Sequence, residues 1–297
     1  MVARGPSVYL TLTAGIAIVS TASIFIRVAQ GEGASSLWIA AVRLGVATMI
    51  LSVPVLGSQR QALRSLSRRD LAFAALAGLA LALHFALWIR SLEFTTVAAS
   101  TVLVTTNPLW VGLASLLVFR ERLTLNVVAG IALTLGGTVA VFLLEDRAGV
   151  SAPDAALGNG LALGGAVCMS AYLLVGRSLR RQLPLLAYVW LVYGIAALVL
   201  LAAALASDQS LTALSPAAVG CMLALAVGPQ LLGHTILNWA LRHVSATLVS
   251  LSILGEPIGS ALLAWACFGE LMTLPQLLAY ALILTGIAIA ARGQRQG

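Results

Sequence analysis

The sequence predicts an all-α integral membrane protein with ten transmembrane helices, arranged as two inverted five-helix repeats around a central cavity. The first observation is composition, since 60% of the 297 residues are hydrophobic and only 9% are charged. A soluble protein of this size needs a larger polar surface. The second is the length of the apolar runs, which repeatedly reach about 20 residues and so can cross a bilayer as helices. A membrane β-barrel would show shorter, alternating segments. The third is an internal repeat of the whole chain.

The apolar runs divide the chain into ten expected spans. Their connections are short, so neighbouring helices should be antiparallel. The first run is long enough to be a retained helix rather than a cleaved signal peptide. The spans are expected near residues 8–29, 37–56, 71–91, 96–119, 124–144, 157–176, 184–206, 217–240, 246–268 and 274–292.

The charges predict the orientation in the membrane. All 17 basic residues are Arg, and 13 of them fall in the segments that are inside when the N-terminus is inside. Because arginine-rich loops stay in the cytoplasm, we expect both termini to be cytoplasmic in a bacterial cytoplasmic (inner) membrane. Arg27 and Arg90 lie near outer helix ends and are expected to snorkel. This bias also explains the net charge of +7. The expected partners are therefore lipid and a small-molecule substrate, not nucleic acid.

A shift of 149 residues lays the second half of the chain on the first with almost no gaps. Pro108 then aligns with Pro257. The shift covers five spans, an odd number, so the halves must be inserted in opposite orientations. We expect a first repeat over 1–148 and a second, inverted repeat over 149–297. Inverted repeats are typical of proteins that move a substrate bound near the membrane midplane. A duplicated scaffold is the alternative.

Polar residues recur at helical spacing inside the apolar runs, which places several of them on one helix face. A polar face against lipid is unfavourable, so these faces should meet in a wet central cavity. For any single Ser or Thr, hydrogen bonding to its own helix or packing between helices is the alternative. The candidate cavity residues are Ser20, Ser23, Arg43, His84, Trp88, Asn107, Tyr172, Gln230, His234, Asn238, Ser252 and Glu256. Trp38, Trp190 and Tyr193 are further wall candidates, although packing or interfacial anchoring is the favoured interpretation for them.

The ionisable candidates leave alternatives open. Arg43 is placed to bind a substrate carboxylate, to pair with Glu256 or to cap a helix end. His84 and His234 either line the cavity or hydrogen-bond a neighbouring helix. Their spacing predicts no metal site, and we expect neither a metal nor a cofactor.

Glu256 directly precedes Pro257, and Asn107 precedes Pro108 at the matching position of the first half. Proline removes a backbone donor and kinks a helix. The two prolines are therefore candidate hinges. The carboxylate would bind a substrate ammonium group, carry a coupled proton or neutralise a cation, with a packing role as the alternative.

Three segments carry a resemblance to a known family. They are GEPIGSALLAWACFGELMTLPQLLAYALILTG in the second half, its counterpart NPLWVGLASLLVFRERLTLNVVAGIALTLGG in the first, and AVRLGVATMIL around Arg43. Over nearly its whole length the chain resembles the drug/metabolite transporter superfamily, in the ten-helix form with two EamA domains. Within it, the chain is most similar to YddG-type exporters of amino acids, including aromatic ones. The resemblance implies a secondary transporter that exports amino acids or similar small metabolites by alternating access.

Other functions are weighed against this one. The alternatives are proton-coupled export of cationic drugs or nucleoside-like metabolites and, less favoured, a channel. Small four-helix multidrug relatives use an acid in their first helix, whereas here that helix carries Ser20, Ser23 and Arg27 but no acid. The sequence has no phosphate-binding loop that would predict ATP hydrolysis. It also lacks the paired acids or metal-ligand motif of an intramembrane hydrolase, so we expect no enzyme.

Overall fold

The computed structural model describes residues 6–117, 124–145, 154–179, 183–207, 214–240, 253 and 255–293, and over these residues it is helical, without a strand. In chain order the helices are α1 (Pro6–Ser20), α2 (Ala22–Gly31), α3 (Ser36–Ser58), α4 (Arg60–Arg64), α5 (Arg68–Ser91), α6 (Val97–Val104), α7 (Asn107–Leu117), α8 (Leu125–Glu145), α9 (Ala155–Leu179), α10 (Leu185–Ala206), α11 (Pro216–Leu225), a π-helix (Ala226–Gly233), α12 (His234–Ala240), α13 (Gly255–Phe268) and α14 (Leu274–Gly293). The all-α prediction is confirmed.

The chain is a multi-pass membrane protein. Six helical stretches in the described part are long and apolar enough to cross a membrane, namely Leu10–Gly31, Ser36–Ser58, Arg68–Ser91, Ala155–Gly176, Leu185–Ala206 and Pro216–Ile236. Shorter apolar stretches at Val97–Val111, Leu125–Val141 and Leu274–Ala290 coincide with three more of the expected spans. The remaining expected span is described continuously only from Gly255 onward. The count of ten therefore stays a prediction.

Side-chain caps explain where some of these helices begin. At the start of α5, the Ser67 hydroxyl accepts from the Asp70 backbone N–H at 3.2 Å, and the Asp70 carboxylate accepts from the Ser67 N–H at 3.0 Å. Thr273 and Gln276 form the same reciprocal pair before α14, at 3.5 and 2.9 Å. Such capping boxes satisfy backbone donors that a helix leaves unpaired at its first turn. The loop-to-helix boundaries are thus encoded locally.

The fourth expected span is broken into two helices. α6 ends at Val104 and α7 begins at Asn107, which places Pro108 in the first turn of α7. A missing N–H costs least at that position. Beside the break, the Thr106 hydroxyl donates to the Leu103 carbonyl at 2.7 Å. The Thr106 backbone N–H also donates to this carbonyl, at 3.2 Å, so Thr106 binds the last turn of α6 through two groups.

Several helix pairs join residues of the two halves, among them α8 with α14 and α3 with α10. In these two pairs the helices are related by the 149-residue shift. α8 and α14 approach closely because both carry glycine at the contact. A Cβ atom at Gly130 would lie 2.5 Å from the Gly286 carbonyl oxygen, and one at Gly286 would lie 2.7 Å from the Gly130 oxygen. Only glycine fits at these two positions.

Candidate functional site

Arg43 is the centre of a buried polar cluster. Its side chain projects from α3 and the residue is 1% exposed. The Nε atom donates to Oε1 of Gln230 at 2.8 Å, and Cζ lies 4.4 Å from the centroid of the Phe85 ring. A hydrogen bond and a cation–π contact offset part of the cost of holding a charge inside a membrane protein. The Nη1 atom has no hydrogen-bond partner among the described residues.

Helix α5 supplies an aromatic wall beside this guanidinium group. The centroid of the Trp88 ring lies 5.8 Å from Arg43 Cζ. His84 stacks on Trp88, with the two ring centroids 6.0 Å apart. His84 Nδ1 lies 2.9 Å from the Gly165 carbonyl oxygen, so Nδ1 donates to α9. The Trp88 indole N–H is buried and has no acceptor within the described chain. The wall thus presents a second unsatisfied donor next to the first.

Gln230 is presented by the π-helix, which the sequence analysis did not anticipate. Pro229 precedes it and has no backbone N–H, so the usual α-helical hydrogen bond cannot form there. Single π-helical turns occur frequently at functional sites. Here the turn holds the Gln230 amide, which is 2% exposed, against Arg43.

Two further side chains complete this end of the cluster. Tyr193 of α10 hydrogen-bonds Gln230. His234, the first residue after the π-helix, interacts electrostatically with Arg43 and His84. Side chains from α5, the π-helix, α10 and α12 therefore surround the guanidinium group that α3 carries.

Glu256 lies in the first turn of α13, half-buried. Its charge interacts with Arg43, but among the described residues no direct ion pair joins the two, and Arg43 Nε donates to Gln230. The Glu256 carbonyl accepts from the Ser20 hydroxyl at 3.3 Å, and Ser260 donates to the Ser20 carbonyl at 3.0 Å. Ser20 therefore holds α1 against α13.

Asn107 and Ser23 each carry a buried polar atom without a partner in the described residues, Oδ1 and Oγ respectively. The Asn107 backbone carbonyl is occupied, since it accepts from Ser170 of α9 at 3.2 Å. Asn107 Oδ1 is thus without a donor among the described residues at the break between α6 and α7. An unsatisfied acceptor at a helix break is suited to a cationic or hydroxyl donor.

The structure brings six of the predicted residues into one electrostatically connected cluster, namely Arg43, His84, Trp88, Gln230, His234 and Glu256. Tyr172 stacks on Tyr188 at 6.4 Å and joins the cluster through Tyr193. Pro257 is buried in α13. Ser252 and the side chains of Asn238 and Pro108 lie outside the described residues. That these residues bind substrate stays a prediction.

Sequence reasoning missed Phe85 altogether. This ring carries the shortest aromatic contact to Arg43, yet a phenylalanine in an apolar helix is indistinguishable from core. The only signal is its spacing, which puts Phe85 and Trp88 on one face of α5.

The snorkelling prediction for Arg27 stays a prediction, but the structure shows protein partners for its guanidinium group that the sequence did not indicate. Its Nη2 atom donates to the Thr95 carbonyl at 2.7 Å and lies 3.4 Å from Oε1 of Glu270. Oε2 of Glu270 accepts from the Val97 backbone N–H at 3.0 Å. The cation is thus paired with a carboxylate from the other half of the chain. We call Arg27, Thr95, Val97 and Glu270 the latch.

Comparison with known families now identifies this arrangement. The sequence model of the EamA-like transporter family matches residues 6–143 and 156–292. The chain belongs to the EamA-like transporter family. Two matched segments of similar length agree with a two-repeat fold for this EamA-like transporter. A search of curated proteins found no match.

The fold of this EamA-like transporter also agrees with solved structures. One, described as the crystal structure of a protein, is 22% identical, with a TM-score of 0.66. The match covers 97% of this chain and 98% of that one. At this identity the likeness shows the fold alone.

Proposed function

We propose that this EamA-like transporter is a secondary transporter that exports amino acids or similar small metabolites. The observation that carries the proposal is a pair of buried donors, Arg43 Nη1 and Trp88 Nε1, that have no acceptor among the described residues. A buried donor left unpaired costs about 1–3 kcal/mol, and more when it is charged. A substrate carboxylate would satisfy both donors, and a guanidinium group is suited to binding it.

The described residues also offer acceptors. Glu256 carries a carboxylate within electrostatic reach of Arg43, and Asn107 Oδ1 is buried with no donor among these residues. Unsatisfied donors favour a carboxylate and unsatisfied acceptors favour an ammonium group. A zwitterion carries both, whereas a cationic drug would use only the acceptors. The rings of Phe85 and Trp88 would contact the substrate side chain, in keeping with the resemblance to YddG-type exporters of aromatic amino acids.

Alternating access would use the repeat. We propose that residues 1–148 and 149–297 form the two inverted halves, with Pro108 and Pro257 as bending points next to the candidate acceptors. The observed break between α6 and α7 supports the first of these bending points. The arginine bias supports cytoplasmic termini in a bacterial inner membrane.

Transport by purified protein in liposomes tests the proposal. Labelled amino acids, nucleosides and quaternary cations are offered separately, with and without a pH gradient. We expect saturable uptake and counterflow of amino acids, aromatic ones included. Uptake of cations or nucleosides but of no amino acid would contradict the substrate class. Single-channel currents without saturation would contradict a carrier.

A further inference from the structure

A large apolar groove lies between α3 and α10, away from the polar cluster. Its volume is about 660 Å³, within the range of about 300–1,000 Å³ that holds whole small ligands. Trp38 and Trp190, which the sequence suggested as walls of the central cavity, line this groove instead. From this groove we infer a binding site for the hydrocarbon chain of a membrane lipid.

The groove follows the internal repeat. Gly45 of α3 and Gly194 of α10 occupy equivalent positions under the 149-residue shift, and both line it. A Cβ atom at Gly45 would meet nothing within 4 Å, so this glycine is not needed for packing and leaves open space. At Gly194 a Cβ atom would lie 3.3 Å from Thr48 Cγ2, which is where the helices touch.

The chemistry of the lining selects a hydrocarbon occupant. The Thr48 hydroxyl is already donated to the Leu44 carbonyl at 2.7 Å. The Trp190 indole N–H is donated to the Ser52 hydroxyl at 2.7 Å. The remaining lining side chains are aliphatic apart from Trp38 and Met49. A ligand with a buried acceptor group would find no free donor at Thr48 or Trp190 and would lose its hydration.

Position and length agree with an acyl chain. Both helices are long and apolar enough to cross the membrane, and the groove lies along the first half of α3 and the central part of α10. From Trp38 to Met49 the helix rises by about 16 Å, close to half of the roughly 30 Å hydrocarbon core of a bilayer. The rim residues Met49 and Leu198 are 65% and 68% exposed. Lipid tails are the material available at that depth.

Photolabelling of the full-length protein in liposomes tests this site. The probe is a phosphatidylcholine with a diazirine near the end of one acyl chain, and the labelled residues are mapped by mass spectrometry. We expect labelling at Met49 and Leu198 several-fold above that at Val139 and Leu143, which are also exposed apolar residues but lie on α8. Equal labelling at both places would overturn the proposal.

Variants that fill the groove are compared with a variant that adds the same side chain elsewhere. Gly45→Leu places a side chain in the open space, and Ala197→Leu does so from the facing helix. Gly136→Leu adds the same side chain on an exposed face of α8, where a Cβ atom also meets nothing within 4 Å. Both groove variants should lower labelling at Met49 at least fivefold, and Gly136→Leu should leave it unchanged.

Two results would overturn the inference. One is full labelling in a groove variant that runs as a single species on size-exclusion chromatography. The other is a dimer that cross-links through α3 in the unmodified protein and is lost in Gly45→Leu, because a second copy would then fill the groove. If Gly45→Leu does not fold, Ala197→Leu decides the outcome alone.

Discussion

At the scale of single residues, the functional site depends on a cation that is only partly satisfied. Arg43 donates from Nε to Gln230 and its guanidinium lies over the Phe85 ring, yet Nη1 has no partner in the described residues. A structural arginine would be expected to use all of its donors, since each unpaired buried donor is costly. The free Nη1 therefore favours a ligand-binding role over a purely structural one.

Arg43→Lys should weaken substrate binding while leaving the charge. Lysine lacks the planar fork that binds a carboxylate through two parallel bonds. Losing one charge-assisted hydrogen bond of about 1.5–3 kcal/mol corresponds to roughly a tenfold to hundredfold rise in KM. Liposome uptake at varied substrate concentration measures this KM. Arg90→Lys is the control, because Arg90 is far more exposed than Arg43. An unchanged KM would leave Arg43 with a structural role only.

Glu256→Gln keeps the size and hydrogen bonding of the side chain and removes its charge. If the carboxylate binds the ammonium group or carries a proton, transport should fall at least tenfold while membrane insertion and the melting temperature are kept. Asn107→Ala should be milder, because it removes a neutral acceptor. Uptake with and without a pH gradient distinguishes the two roles. Normal transport with unchanged pH dependence in Glu256→Gln would leave only packing.

At the scale of helices, the π-helix is the element that positions the site. Pro229 prevents α-helical hydrogen bonding at the point where Gln230 must face Arg43. A proline inside an α-helix costs about 3 kcal/mol relative to alanine. The presence of a destabilising proline at this position is explained if the π-helical turn serves substrate binding rather than stability.

Pro229→Ala should therefore separate stability from function. With the donor restored, the segment can return to α-helical bonding, which turns Gln230 away from Arg43. We expect an equal or higher melting temperature together with a KM raised about tenfold. Pro54→Ala, which removes a proline inside α3, is the matched control and should leave KM unchanged. A Pro229→Ala protein with normal KM would show that the π-helix is dispensable for binding.

The latch also acts at the scale of helices, because its contacts connect α2 and the start of α6 to the loop after α13. Burial raises the pKa of the Glu270 carboxyl, an effect that Arg27 and the Val97 N–H partly oppose. The carboxylate is therefore protonated at a less acidic pH than an exposed glutamate. The ion pair with Arg27 should weaken as the pH falls through that raised pKa.

Glu270→Gln should loosen the latch at any pH. We expect faster thiol labelling from the outside of a cysteine placed at Ala98, a buried residue next to Glu270. Glu93→Gln is the control, since Glu93 pairs with Arg90 and Ser36, both within the first half. Equal labelling rates in the two variants would show that the latch does not hold the halves together.

At the scale of the whole molecule, the predicted inverted repeat can be tested through its topology. The arginine bias predicts that the loop containing Gln61 is inside, and five expected spans before Val150 predict that this residue is outside. A cysteine at position 61 should react with an impermeant thiol reagent only from the cytoplasm, and one at position 150 only from the opposite side. Reaction of both from one side would contradict the ten-helix topology and the inversion together.

The sequence by itself determined the membrane class, the approximate helix bounds and the repeat. These follow from local chemistry. Apolar length decides whether a segment can span a bilayer, and short-range caps such as Ser67 with Asp70 decide where a helix begins. The deep polar residues could also be found, since a charge inside an apolar run is costly wherever it lies.

Only the tertiary structure shows which side chains contact one another. Within the described residues, Arg43 contacts Gln230 and Phe85 and makes no direct ion pair with Glu256, and Arg27 pairs with Glu270 of the other half. Such contacts join residues far apart in the chain, so spacing along one helix cannot predict them. The groove between α3 and α10 follows from the same cause, because an open space depends on how two helices cross and not on the pattern of either one.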